Sequence, residues 1–135
     1  MIELRGYVDE KGKQTLRELA GSTRRDSIMP LTHDFKETIR ARAQHDTDFR
    51  QALLREAVEC IINGDLETGK AVLRDYVNAT VGFRDLERRT RIPAKSLMRM
   101  LGPKGSPSAA NLTNILTALQ KAEGVHFELA LKRRR

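Results

Sequence analysis

Apolar side chains recur at helical spacing through the middle of the chain. Across residues 49–62 they form a wide stripe, which is typical of a central, well-buried helix. A second stripe covers residues 66–80, and the turn and cap signals at 63–65 predict that the two helices form an antiparallel hairpin. Gly69 lies within the second stripe, so we expect a neighbouring helix to approach closely there.

An earlier helix is predicted to begin at Asp34. Asp34 and Glu37 match a capping box in its D-x-x-E form. Phe35, Ile39 and Ala43 follow at intervals of four and share one face, so the pattern predicts that this face is buried.

Two short amphipathic helices are predicted after the hairpin. The first covers residues 83–90, where Phe83 and Leu86 share a face. Pro93 has no N–H and disfavours helical geometry at the residue before it, so this helix ends and another begins there. The second covers residues 94–101 and is stopped by the Gly-Pro pair that follows. Its predicted inward positions are Leu97, Met100 and Leu101.

The opposite face of the second short helix is polar and basic. It carries Lys95, Ser96 and Arg99, together with Met98. A short helix, a tight turn and a second helix with such a face form the pattern of helix-turn-helix DNA readers. Arginine pairs bidentately with guanine, and lysine and serine reach bases or phosphates. A plain solvated charged face is the alternative, which the flanking turn and the bracing helix disfavour.

The remaining predicted elements support this pair. Arg84 and Lys104 lie near the ends of the two short helices, where contacts to DNA phosphates are expected. A Gly-, Pro- and Ser-rich loop covers residues 102–110, and Ser108 can cap a helix over residues 109–122 whose apolar face braces the pair from behind.

Several segments of the chain resemble a known class of DNA-binding protein. Those that match the Xre/Cro-type helix-turn-helix are 92–101, 105–107, 111–112, 115–116 and 118–119. More closely, residues 34–38, 78–83 and 124–125 resemble HigA-like addiction-module antitoxins, and the likeness covers roughly residues 31–131. Two positions depart from the Xre pattern. Leu101 stands where Glu is common, and Arg84 stands where many Xre repressors carry Gln.

The resemblance implies two roles. A HigA-like antitoxin represses its own promoter, and it binds and neutralises a RelE/HigB-like partner toxin that cleaves RNA. The opening residues 2–13 resemble the first strand and hairpin of such toxins but carry no catalytic motif. We interpret residues 1–30 as a mobile leader with an accidental likeness.

The C-terminal residues 125–131 alternate apolar and polar side chains, which predicts a short strand. A lone strand needs a partner, and the candidates are the same strand of a second copy, residues 2–8, or a sheet edge on a toxin. Residues 132–135 form a basic tail, for which simple solvation is the main interpretation and DNA contact the alternative.

Composition limits the classes of function. The chain has 135 residues, about one domain, and a net charge of +7 that suits a polyanion partner or a merely soluble basic protein. With 4 Phe, 2 Tyr and no Trp, base stacking on aromatic platforms is disfavoured. No signal peptide or long apolar run is present, so we expect a cytoplasmic location without membrane association.

Catalysis finds no support in the sequence. Two His-Asp dipeptides begin at His33 and His45, a pattern that a metal-dependent phosphohydrolase could use. If one helix carried both histidines, their separation of twelve positions would set them about a third of a turn apart, so they would not share one face. Cys60 follows the apolar stripe of its helix and is predicted to be a buried, inert thiol. Residues 102–105 lack the Walker spacing. We therefore predict no catalytic residue, no cofactor and no metal site.

The sequence thus predicts an all-α, compact helical bundle with an Xre/Cro-like helix-turn-helix and a short C-terminal β-strand. Its predicted segments are a leader (1–30), N-terminal helices (31–80), a helix-turn-helix domain (81–124), and a strand with a basic tail (125–135). The predicted function is a nucleoid-associated, homodimeric regulator that binds a palindromic operator in double-stranded DNA. The alternative is a protein-interaction module whose helix-turn-helix no longer reads DNA.

Overall fold

The computed structural model describes residues 33–134, and in this range the chain is all-α. The six helices of the described range are α1 (His33–His45), α2 (Thr47–Ile62), α3 (Leu66–Ala79), α4 (Gly82–Thr90), α5 (Ala94–Met100) and α6 (Ala109–Glu123). None of the described helices is long and apolar enough to cross a membrane. The predictions for residues 1–30 lie outside the described range.

The sequence predicts helix caps at Asp65, at Ser108 and at either Asp46 or Thr47, and the structure has side-chain caps at Asp46, Asp65 and Ser108. The side chain of Asp46 accepts a hydrogen bond from the N–H of Phe49, 3.0 Å away. This bond, together with the guanidinium of Arg42, lowers the pKa of the Asp46 carboxyl below its usual value. Asp65 caps α3 and Ser108 caps α6 in the same way. These bonds satisfy N–H groups that have no partner within the helix.

Helix α1 packs against α2 and α3. Its described part, His33–His45, includes the predicted start at Asp34, and Ile39 and Ala43 on the predicted apolar face are buried. The proposed capping box at Asp34 rests on a side chain that the structure does not describe. His33 and His45 both lie on this helix.

Helices α2 and α3 form the predicted hairpin. A Cβ atom built at Gly69 would lie 2.5 Å from Cγ1 of Ile61 and 3.1 Å from the carbonyl oxygen of Ala57. Because only a residue without a side chain fits there, Gly69 allows the two helix backbones to approach closely, as predicted.

One continuous core joins all six helices in the described range. Inside it, the Tyr76 hydroxyl donates a hydrogen bond to Glu123, whose two carboxylate oxygens each lie 2.9 Å from Nε of Arg50. Burial, followed by the neighbouring Glu123 carboxylate, raises the pKa of Tyr76. This cluster joins α2, α3 and α6. The largest fully buried apolar side chains are Leu54, Leu73, Leu86, Leu97, Leu101, Ile115 and Leu119.

The strand predicted for residues 125–131 does not form in this single chain. Residues 125–134 have no regular secondary structure. The N–H groups of Val125 and Phe127 bond to Gln120, so the segment begins against the end of α6, and Phe127 packs on the core. A strand requires a second strand to pair with, and the described residues provide none.

Candidate nucleic-acid interface

The connection between α4 and α5 is short and sharply turned. Arg91 ends α4 with a left-handed backbone, φ 63°, and its N–H donates to the carbonyl oxygen of Glu87 at 2.7 Å. Pro93, with φ −54°, precedes the first residue of α5. The break that the sequence predicts at this proline is therefore confirmed, and it separates two helices of nine and seven residues.

Helix α5 has the two faces that its sequence predicts. Leu97 and Leu101 are fully buried, whereas Lys95, Met98 and Arg99 are exposed. Ser96 is half-buried and so lies at the edge of the polar face. Leu101 is the residue that ends the helix, and Met100 is only half-buried.

The candidate cations are available to a ligand. Arg84, Lys95, Arg99 and Lys104 are all exposed. None of their side chains makes an ion pair or hydrogen bond within residues 33–134. The structure therefore places Lys95 and Arg99 on one helix face, with Arg84 on α4 and Lys104 in the loop after α5.

The acidic residues of α4 have other partners. Asp85 binds Arg89 at 2.9 Å and Arg88 at 3.1 Å, and these hydrogen bonds lower the pKa of its carboxyl. Glu87 accepts a hydrogen bond at 2.7 Å from the backbone N–H of Ala94. Helix α5 itself has no acidic residue. The outward face of α5 thus keeps its positive charge.

Glu87 also fixes the start of α5. The residue before α5 is proline, which has no side-chain oxygen to cap the helix. The carboxylate of Glu87, seven residues earlier on α4, takes this role and satisfies the first N–H of the helix. The contact holds the two helices in a defined relative position.

Two cations of α3 fix the other end of α5. Nη1 of Arg74 donates to the carbonyl oxygen of Leu101 at 3.0 Å. Nζ of Lys70 donates to the carbonyl oxygen of Gly105 at 2.6 Å and lies 3.1 Å from Oε2 of Glu67. The Lys70 side chain is 1% exposed. These bonds hold the loop of residues 101–108 that carries Lys104.

Gly105 has a steric role in the same loop. A Cβ atom at this position would overlap the carbonyl oxygens of Arg99 and Met100. The loop therefore folds back tightly against the last turn of α5, which is possible only for glycine.

Helix α6 braces α4 from behind. Nδ2 of Asn114 donates to the carbonyl oxygen of Thr90 at 3.1 Å. The Thr90 hydroxyl in turn donates to the carbonyl oxygen of Leu86 and accepts from the N–H of Ile92. Asn114 therefore holds the end of α4 in place, next to the turn.

The sequence pattern did not predict which residues hold α4, α5 and the following loop in place. Lys70 lies four positions after Leu66 and three before Leu73, so its place on the apolar face of α3 was the available signal. Nothing local indicates that Arg74, Glu87 or Asn114 bonds to backbone groups 7 to 27 residues away.

Cys60 is half-buried, and its thiol lies 3.5 Å from the carboxylate of Glu56. Burial and this carboxylate raise the pKa of Cys60 to about 11, so the thiol stays protonated at neutral pH. The described residues contain no group of three His, Cys, Asp or Glu side chains able to hold a metal ion.

Comparisons with protein-family models, curated proteins and solved structures found no match to this chain. The resemblance to HigA-like antitoxins and to the Xre-type helix-turn-helix therefore stays a prediction from the sequence.

Proposed function

We propose that this protein is a sequence-specific DNA-binding regulator in which α4 and α5 form a helix-turn-helix. The observation that carries the proposal is the outward face of α5. Lys95 and Arg99 are exposed there without an acidic partner in the described chain, while Leu97 and Leu101 hold the helix to the core. An unpaired basic helix face on a fixed scaffold suits the major groove of DNA.

In this mechanism the residues have separate tasks. Arg99 reads a guanine through a bidentate contact, and Lys95 and Ser96 contact bases or phosphates beside it. Arg84 and Lys104 contact phosphates on either side, which adds affinity but no sequence information. Glu87, Lys70 and Arg74 keep α5 and its loop in place during binding.

The biological role follows from the resemblance. We propose a nucleoid-associated, cytoplasmic homodimer that represses its own promoter at a palindromic operator, with half-sites about one DNA turn apart. As a HigA-like antitoxin it would also neutralise a RelE/HigB-like, RNA-cleaving toxin. A small basic RelE-like reading frame immediately upstream of this one would support the antitoxin role.

A protein-interaction module that no longer reads DNA is the second candidate. It is favoured by one observation, the exposure of Leu129 and Leu131 in the C-terminal segment. Apolar side chains that project from a segment with an unpaired edge are suited to a protein partner.

The test begins with selection of duplexes from a library with a randomised centre, using the full chain. Affinity for the enriched duplex and for a random duplex is then measured with Arg99→Ala and with Arg40→Ala, an exposed arginine of α1. We expect Arg99→Ala to weaken specific binding by about 1–3 kcal/mol, roughly 5- to 150-fold, and Arg40→Ala to change it little.

Salt dependence separates the phosphate contacts from the base contacts. Lys104→Ala should weaken specific and random binding alike and reduce the slope of log affinity against log salt by about one. If the library yields no enriched sequence, or if Arg99→Ala leaves specific affinity unchanged, the DNA proposal fails. Tight binding to a toxin without DNA specificity would favour the second candidate.

A further inference from the structure

The C-terminal segment leaves a hydrogen-bonding edge and two leucines without neighbours. Leu129 is 78% exposed and Leu131 is 100% exposed. No hydrogen bond joins the backbone of residues 129–134 to another residue of the described chain. The apolar–polar alternation of this segment is that of a half-buried strand, and an unpaired strand edge is a template for a second strand.

Two backbone contacts show which edge is open. The N–H of Val125 bonds to the carbonyl oxygen of Gln120, and the N–H of Phe127 bonds to Oε1 of the same residue. Both groups point towards α6. Because N–H and C=O groups of an extended chain alternate between its two edges, the even-numbered residues from 128 to 132 direct theirs away from α6 when the chain continues extended.

A second copy of this chain fits the open edge in one antiparallel register. With the two-fold axis at Ala130, Glu128 of each copy lies opposite Lys132 of the other, and Leu129 lies opposite Leu131. The ion pairs then share one face of the ribbon and the leucines share the other, and each kind of pair favours the pairing.

Neighbouring registers lose this match. An axis at Glu128 sets two carboxylates directly opposite each other, which is destabilising. An axis at Leu129 sets Glu128 opposite Ala130 and His126 opposite Lys132, so no ion pair forms. An axis at Leu131 sets Glu128 opposite Arg134 but Leu129 opposite Arg133, so the ion pair is kept and the two Leu129–Leu131 pairs are lost. Ion pairing and leucine pairing together therefore favour the register centred on Ala130.

We propose that residues 128–132 form a two-stranded antiparallel ribbon with the same residues of a second copy, so that the protein dimerises through its C-terminal segment. The strand that the sequence predicts then forms in the dimer. A small two-stranded ribbon is marginally stable by itself, so we expect a weak dimer whose population depends on protein concentration. The inference deepens the proposed function, on which its role rests, because the dimer supplies two copies of α5 to a palindrome; the pairing itself needs no DNA.

The first test uses charge exchange and sedimentation equilibrium of the full chain without DNA. The wild type should shift from 15.3 kDa towards twice that mass as its concentration rises. Glu128→Lys and Lys132→Glu each set like charges opposite each other and should weaken dimerisation at least about tenfold. An equal mixture of the two variants should regain the wild-type affinity, because every lysine then faces a glutamate.

The second test fixes the register by cross-linking. Ala130→Cys, made with Cys60→Ala, should give a disulfide-linked dimer on mild oxidation, since directly hydrogen-bonded residues have Cα atoms about 5.5 Å apart. Thr117→Cys, at an exposed position of α6, is the matched control and should remain monomeric. Far-UV circular dichroism confirms that each variant keeps its helices.

The outcomes separate the two proposals. A wild-type chain that stays monomeric over the whole concentration series overturns the ribbon proposal. This result is expected if residues 2–8 or another protein occupy the edge instead of a second copy. Single variants that dimerise as well as the wild type also overturn it. A dimer with the predicted charge behaviour that selects no duplex leaves the ribbon standing and removes the DNA function, and a monomer that binds an operator does the reverse.

Discussion

Replacement of Lys70 by methionine tests how α3 holds the loop after α5. The methionine keeps most of the apolar stem and removes the ammonium group. That group donates at 2.6 Å to the carbonyl oxygen of Gly105 and lies 3.1 Å from the carboxylate of Glu67. The side chain is 1% exposed, so water does not replace the lost donor in the folded protein.

The two contacts have different weights. A buried hydrogen bond from a charged donor contributes about 1.5–3 kcal/mol. The Glu67 side chain is 72% exposed, so its ion pair contributes at most about 1 kcal/mol. Removal of a buried charge also relieves a desolvation cost, which offsets part of the loss. We expect Lys70→Met to lower the free energy of unfolding by about 1–3 kcal/mol, or the melting temperature by roughly 4 °C for each kcal/mol.

Two further variants divide this energy. Glu67→Ala removes only the exposed ion pair and should cost less than about 1 kcal/mol. Lys70→Ala also removes three methylene groups from the core and should cost about 2 kcal/mol more than Lys70→Met. We therefore expect the smallest loss of stability for Glu67→Ala, a larger loss for Lys70→Met and the largest loss for Lys70→Ala.

The assay is urea unfolding of the full chain, followed by DNA affinity at a temperature where every variant is folded. Ile39→Val, in the buried face of α1, is a control that lowers stability by about 0.5–1.5 kcal/mol without removing a hydrogen bond to the loop. Lys70→Met should weaken DNA binding more than this control does, because the loop carries Lys104. If Lys70→Met is as stable as the wild type, or if Glu67→Ala costs as much, the assignment of the Gly105 contact is refuted.

Three other substitutions test neighbouring contacts. Gly105→Ala should destabilise the fold by at least about 2 kcal/mol because its Cβ overlaps carbonyl oxygens of α5, and Gly102→Ala, with contacts no closer than 3.2 Å, should cost less in the same thermal melt. Glu87→Ala should cost about 0.5–2 kcal/mol and speed hydrogen exchange at the Ala94 amide; equal exchange in both proteins would exclude the cap. The environment of Tyr76 favours its neutral form, so its stabilising contribution is fully present below pH 10 and is lost as the pH rises further. The free energy of unfolding should therefore fall more steeply with pH in the wild type than in Tyr76→Phe. An equal pH dependence of the two proteins from about pH 8 to 11 would contradict this.

Most helix limits could be predicted because their signals are local. Asp46 and Ser108 cap the residues that directly follow them, and Gly124 ends α6 with a left-handed backbone, φ 75°. The burial of Leu97 and Leu101 follows from helical spacing alone. Each of these features depends on residues within one or two turns of the chain, which is why the sequence pattern was sufficient.

The contacts that position α5 could not be predicted in this way. Lys70 bonds to a carbonyl group 35 residues later, and Arg74 to one 27 residues later. Such contacts exist only once the helices have packed, and a basic residue on α3 is otherwise expected in solvent. For residues 125–131 the local pattern was present, but it was not sufficient to predict the structure. Alternation of apolar and polar residues indicates that a segment can pair as a strand, and it does not indicate which chain provides the partner.

The bonds from α3 to α5 and its loop affect how the protein can be shortened. A fragment that begins at Val81 would contain α4, α5 and α6 but would lose Lys70 and Arg74, the donors to the carbonyl groups of Gly105 and Leu101. It would also expose Ile115 and Leu119, which lie in the core that the earlier helices complete. The minimal unit for binding studies should therefore retain the α2–α3 hairpin.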